Sequence, residues 1–192
     1  MNNNLKTTLK AWPVIAGATI GICYLTKIVA GRFGIDLPDQ QSVEFVRQWI
    51  LHAFDSTSNF LTCARLLATV LVIMPVIEEF VFRYLLFMLP ARGAKRLLSP
   101  ADSRQTNEEP DARHPHSKIR IFEYSLIFLS AALFSAAHYI EQSFPDSAFI
   151  ALFFLGLAQC WLYRKTGRIW CAMLNHGLFN LTNLVLLFLI PD

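Results

Sequence analysis

The chain alternates long apolar runs with short polar islands, and the lengths of the runs set the first expectation. Charge-free stretches extend over Ala11–Thr26, Tyr84–Ala91, Tyr124–Ile140, Ser147–Tyr163 and Ile169–Pro191. A helix needs about 20 apolar residues, and no fewer than roughly 17, to cross the hydrocarbon core of a bilayer. Three of these runs meet that limit. Ala11–Thr26 meets it once Lys27 extends its ammonium to the interface. Phe60–Pro90 is a further apolar segment, interrupted by charge. The pattern predicts an all-α fold, a polytopic transmembrane helix bundle of about five spans. In Val43–Phe54, apolar residues recur at 43, 46, 50 and 54, with Glu44, Arg47 and Gln48 elsewhere on the circumference. That spacing predicts an amphipathic helix lying at the outer interface.

Composition agrees. Hydrophobic residues make up 54% of the chain and charged residues 16%, where a soluble domain carries about 25% charged; mean hydropathy is +0.41. The first apolar run is too long for a signal-peptide core and lacks a small-residue cleavage site, so it reads as a span. The net charge of +3 gives no sign of a nucleic-acid surface. Where the basic residues lie is more informative. Lys6 and Lys10, the segment Arg92–Arg120 and the turn with Arg164, Lys165 and Arg168 hold twelve of the 17. An alternating five-span path brings all three regions to one side, which predicts a cytoplasmic N-terminus and an external C-terminus. Trp12, Trp49, Trp161 and Trp170 fall near segment ends, as interfacial aromatics do. The loop Arg92–Lys118 is polar and Pro-containing and reads as mobile, with His114 and His116 as solvated loop residues. Cys23, Cys63, Cys160 and Cys171 show no paired spacing and read as free thiols.

The exception to the apolar pattern is Pro75-Val76-Ile77-Glu78-Glu79-Phe80-Val81-Phe82-Arg83. Each such charge at mid-bilayer costs roughly 2.5–3.5 kcal/mol even on lenient scales, so chemistry rather than packing is the first expectation. Glu79 and Arg83, four apart, share a helix face and can pair. Glu78 is rotated by about 100° from Glu79 and is left to point elsewhere. Pro75 frees a backbone carbonyl and can open the helix there. The next span carries Phe134-Ser135-Ala136-Ala137-His138, in which the ring of Phe134 can brace His138. The last carries His176 and Asn180 on one face, with Asn183 continuing the stripe, and Gly177 allows close approach of another element.

A carboxylate shielded from bulk water can take a proton from a water molecule, and histidine can share that proton traffic. Donors on His176 and the Asn180 amide can hold a developing oxyanion. Base, water and oxyanion donors are the parts that peptide hydrolysis requires. No H-E-x-x-H or G-x-S-x-G motif is present. Glu with two His could hold a metal in principle, but Arg83 and Asn180 would be unusual neighbours for a cation, so neither a metal nor another cofactor is expected. Two other classes compete: a non-catalytic immunity or scaffold protein of the membrane, and a small transporter using Glu78 and His138 as a proton relay.

Glu78-Glu79-x-x-x-Arg83, Phe134-x-x-x-His138 and His176-x-x-x-Asn180 resemble, in order, the three motifs of the CAAX-protease and bacteriocin-processing (CPBP, or Abi) family, which includes the Ras-converting CAAX endopeptidase. Phe154-Leu155-Gly156-Leu157 and Tyr163-Arg164-Lys165-Thr166-Gly167 are similar to that family's linker between its later helices. The resemblance covers about Val72 to Leu184. It implies a metal-independent, glutamic-type intramembrane endopeptidase in which Glu78, assisted by His138, activates water. His176 and Asn180 would form the oxyanion site, with Glu79, Arg83 and Phe134 as structural support. The implied substrate is a membrane-associated or lipid-modified protein or peptide, met within the lipid bilayer of a bacterial inner membrane. The whole chain, 1–192, then reads as one domain: an N-terminal span and interfacial segment over 1–59, and a catalytic core over 60–192 with its polar loop at about 92–118. One geometric demand accompanies this reading. At 1.5 Å per residue, His138 lies about 27 Å along its helix from Arg120, and His176 about 12 Å from Arg168. The two meet only if one helix is tilted, broken or shifted.

Overall fold

The computed structural model describes residues 2–37, 47–53, 55–98, 114–139 and 148–189. The expectations for 38–46, 99–113 and 140–147, which include much of the interfacial segment and of the polar loop, lie outside the described residues. Of Val43–Phe54, 47–51 is helical.

Among the described residues five long helical elements follow one another. α1 is Asn3–Arg32. α2 is a continuous run of five segments, Thr57–Ala68, Thr69–Ile73, Met74–Glu79, Phe80–Met88 and Leu89–Leu98. α3 is His114–Ala137, α4 is Phe149–Thr166 and α5 is Ile169–Leu189. α1, α2, α3 and α5 are long and apolar enough to cross a membrane. α4, the fifth expected span, has 18 residues and carries Arg164 and Lys165 in its last turn. The architecture is thus an all-α membrane bundle.

Burial shows which solvent the fold is built for. Large apolar side chains face outward, among them Val14, Leu25, Ile28, Val72, Ile73 and Phe128. Glu79, Arg83, Gln159, Asn175 and His176 are buried inside. A water-soluble domain arranges these classes the other way round; a bilayer rewards apolar exteriors and confines ionisable groups to the bundle interior.

The apolar core joins Ile15 and Ala16 of α1, Phe134 of α3, Leu152 and Leu155 of α4 and Phe179 of α5. Small residues let α3 and α4 approach closely. A Cβ on Gly156 would lie 2.9 Å from the Ala131 Cα, and Ser135 donates across to the Phe149 carbonyl at 2.7 Å. Such small-residue seams replace the hydrophobic drive that lipid cannot supply between helices. α4 ends on Gly167 in the left-handed region (φ 65°), a conformation that costs glycine little, and α5 starts two residues later.

The helix ends carry the orientation signal together. Lys10 of α1 and Lys165 of α4 line one groove, and Arg164 pairs with Glu123, in the first half of α3, at 3.0 Å. The basic N-terminal part of α1, the first half of α3 and the C-terminal end of α4 therefore lie toward one end of the bundle.

Several sequence boundaries shift. α1 starts at Asn3 rather than Ala11, so Trp12 lies about two and a half turns inside it. Its Nε1 donates to Thr182 Oγ1 of α5 at 3.1 Å, so it also ties α1 to α5. The polar loop is shorter than Arg92–Lys118, because helix continues to Leu98 and resumes at His114. Lys95 and Arg96 suit a helix C-terminus, and Pro115 falls in the first turn of α3, where its missing N–H has no intrahelical partner to lose.

The largest departure from an ideal helix is in α2. Thr69–Ile73 and Phe80–Met88 are π-helical. The Met74 N–H bonds the Thr69 carbonyl and the Leu89 N–H the Tyr84 carbonyl, both five residues back. The opening that Pro75 foreshadows is thus a change of hydrogen-bond register within an unbroken helix. Such π stretches recur at functional sites.

Candidate active site

Between the two π stretches of α2 lies one α-helical segment, Met74–Glu79, and it delivers both glutamates. Glu79 is fully buried and uses both carboxylate oxygens. Oε2 lies 3.1 Å from Arg83 Nε, and Oε1 lies 2.9 Å from His176 Nδ1 on α5. A carboxylate here only accepts, so Nδ1 of His176 carries a proton and donates it to Glu79. The ring's other nitrogen is thereby aimed: Nε2 stands 3.6 Å from Glu78 Oε2, too long for a hydrogen bond. The Glu78 side chain keeps 16% exposure, against 0% for Glu79. The two adjacent acids are therefore unlike: one is locked between a guanidinium and an imidazole, the other faces that imidazole with an open side.

Phe134 organises the far side. Its buried ring lies under Arg83, with Cζ 4.4 Å from the centroid, close enough for a cation–π contact. It meets His176 edge-on at 5.7 Å and His138 at 4.8 Å between centroids. Phe82 adds another edge contact at 5.5 Å. Two histidines from different helices thus meet a single ring. α3 ends at Ala137, and among the described residues the two imidazoles are joined only through this ring and not to each other. His138 lies in the turn just beyond, exposed, with Nδ1 donating to the Phe134 carbonyl at 2.8 Å. That bond leaves Nε2 of His138 as an acceptor. Among the described residues His138 makes no hydrogen bond or ion pair to Glu78 or His176.

Asn180 sits one turn after His176. Its Nδ2 donates to the Val70 carbonyl, in the first π stretch, at 2.8 Å. Beside it Gly177 faces the Leu71 carbonyl, which would lie 2.5 Å from a Cβ at that position. On the second π stretch, the Phe82 carbonyl accepts from Ser130 Oγ of α3 at 2.6 Å. Gln159 and Asn175 are fully buried polar side chains on α4 and α5. Gln159 carried no signal in the sequence, because a single amide in an apolar run resembles ordinary inter-helix glue. The central place of Phe134 was legible only as a brace for His138; its contacts with Arg83 and His176 come from other helices.

The set joins a partly open carboxylate, an imidazole aimed at it, and a second carboxylate that is paired with a guanidinium and holds that imidazole. Among the described residues no three His, Cys, Asp or Glu side chains gather as a metal-ligand set, and both oxygens of Glu79 are engaged by protein groups. Neither a curated protein nor a solved structure matches the chain. Residues 58–182, which contain every side chain of this cluster, match the family model described as type II CAAX prenyl endopeptidase Rce1-like, and the chain belongs to that family of membrane proteases.

Proposed function

We propose that the protein is a glutamic-type intramembrane endopeptidase that hydrolyses a peptide bond in a membrane-associated or lipid-modified protein or peptide. The observation that carries this reading is the open side of Glu78 facing His176 Nε2 at 3.6 Å while Glu79 fixes the opposite nitrogen. Glu78 takes a proton from a water molecule as that water attacks the scissile carbonyl. His138, whose Nε2 is free to accept, assists from beyond the Phe134 ring. Nε2 of His176 and the second N–H of the Asn180 amide hold the oxyanion. For Nε2 to donate while Nδ1 donates to Glu79, the ring carries both protons.

The route to the site suggests the substrate class. Val76, Ile77 and Phe80, which flank the two acids, are exposed on the apolar exterior of the bundle. A chain held in the bilayer by a lipid or an apolar segment would meet Glu78 from that side. We place the protein in a bacterial inner membrane with the basic end of the bundle in the cytoplasm, following the positive-inside rule.

The test uses the full chain in detergent or nanodiscs with lipid-modified and unmodified reporter peptides, with and without a chelator. Chelator-resistant cleavage by the wild type, abolished in Glu78→Gln, is the expected result. Cleavage retained by Glu78→Gln overturns the assignment of the base, and chelator-sensitive cleavage overturns metal independence. Absence of any cleavage, with cellular function unchanged in Glu78→Gln, favours a scaffold or immunity role. Glu78-dependent proton-coupled uptake by liposomes favours transport.

A further inference from the structure

Pro75 has no N–H. In an α-helical register that N–H would bond the Leu71 carbonyl, and in the π register that Met74 adopts it would bond the Val70 carbonyl. The helix therefore cannot satisfy these two acceptors from position 75. Both are directed at α5. Val70 O accepts from Asn180 Nδ2 at 2.8 Å. Leu71 O occupies the space where residue 177 has no side chain, 2.5 Å from the position of an ideal Cβ. The proline, the asparagine and the glycine form one joint across two helices.

We infer that Pro75, Gly177 and the Asn180–Val70 bond are positioning elements that set the separation between Glu78 and His176. The joint couples the two sides closely. Pro75 and Glu78 share the six-residue segment Met74–Glu79, so whatever fixes the segment's start fixes the height and rotation of Glu78. His176 precedes Gly177 directly and lies one turn before Asn180, so the same contact anchors α5 at the imidazole. A free carbonyl in lipid is costly, which gives the joint its drive: α2 obtains its missing donor from α5 only when the two helices are in register. Asn180 is thus tied to backbone through one N–H, and only its other N–H is left for an oxyanion.

This inference rests on the hydrolytic reading for its kinetic consequences, but not for its structural ones. Pro75→Ala returns an N–H to α2, which then competes with Asn180 for Val70 O or recaptures Leu71 O. The expected result is an unchanged or raised melting temperature together with a kcat lowered about 10- to 100-fold and KM changed less than twofold, since small displacements of reacting groups carry penalties of that order. A proline with a merely structural role would not lower kcat while stability holds. Gly177→Ala pushes on the Leu71 carbonyl and lowers both melting temperature and kcat. In Pro75→Ala/Gly177→Ala the carbonyl can fold back into its own helix, so the double variant regains part of the melting temperature lost in Gly177→Ala.

Additive melting temperatures, or wild-type kcat in Pro75→Ala, overturn the joint while leaving the protease reading intact. A wild type that cleaves no reporter removes the protease reading, and the melting-temperature cycle still decides the joint.

Discussion

α2 and α4 run through the same bundle and obey opposite rules. α4 is neutral along its middle and buries Ala151, Leu152, Leu155, Gly156, Gln159, Cys160, Leu162 and Tyr163 against its neighbours. It is α-helical from Phe149 to Thr166 and closes on a left-handed glycine. α2 carries Glu78, Glu79 and Arg83, twice changes to π register, and leaves Val72, Ile73, Val76 and Ile77 facing outward. Its stretch Thr57–Leu97, 41 residues long, measures about 60 Å at 1.5 Å per residue, roughly twice the hydrocarbon thickness. The contrast separates two tasks. α4 supplies close packing and holds the bundle together; α2 gives up regular hydrogen bonding and tolerates buried charge in order to place two carboxylates.

Substitutions on the two helices should therefore fail in different ways. The largest effect is expected at Glu78 of α2, where Glu78→Gln should lower the rate of reporter cleavage by about 10²–10⁴-fold, the range for loss of a general base. Its melting temperature should stay near that of the wild type, because among the described residues the partly open carboxylate makes no hydrogen bond and stands 3.6 Å from His176 Nε2. A large drop in stability would erase the distinction between the two acids. Next comes Arg83→Met, which leaves Glu79 buried without its cation. Breaking a buried pair from one side costs about 3–5 kcal/mol, and thermal or denaturant unfolding in detergent should register it together with loss of cleavage. Unchanged stability there would show that the charges of α2 are not held as the geometry implies.

On α4 the expected damage is smaller and purely structural. Gly156→Ala sets a methyl 2.9 Å from the Ala131 Cα, so α3 and α4 must separate. Overpacking of this kind costs about 1–3 kcal/mol, and cleavage per folded molecule should be retained, as measured by activity normalised to the folded fraction. Loss of activity beyond the unfolded fraction would tie the α3–α4 seam to the site. The smallest effect is expected from Ser130→Ala, which removes the 2.6 Å bond to the Phe82 carbonyl. About 1 kcal/mol, the usual net value of one hydrogen bond, should appear in an unfolding titration. This variant sharpens the comparison, since Ser130 braces the second π stretch of α2 from outside that helix.

How far the sequence could be read follows the same division. Apolar run length gave the helices, because a bilayer forces backbone groups to pair within their own segment. It gave α5 and α4 closely, placed α1 and α3 too narrowly and the polar loop too widely, since polar helix ends such as 3–10, 92–98 and 114–123 carry no apolar signal. The pairing of Glu79 with Arg83 was legible from a spacing of four. The partnership of Glu79 with His176 was not: it joins residues 97 positions apart, and nothing in a local pattern ranks it above a contact with Glu78. Asn180 illustrates the same limit, since its amide reads as an oxyanion donor from chemistry alone, while its bond to Val70 depends on a carbonyl that only the helix register exposes.

The sequence by itself determined that this chain must live in a membrane, that its charges must be sheltered within the bundle, and that one of two neighbouring acids would be tied to an arginine. These are consequences of transfer energies and of helical spacing over a few residues. Only the tertiary structure decided which nitrogen of His176 meets which acid, where α2 changes register, and that Phe134 spans the gap between two histidines. Those outcomes depend on donors and acceptors supplied by other helices, and a backbone carbonyl left without a partner by a proline is satisfied by whichever helix the fold brings beside it.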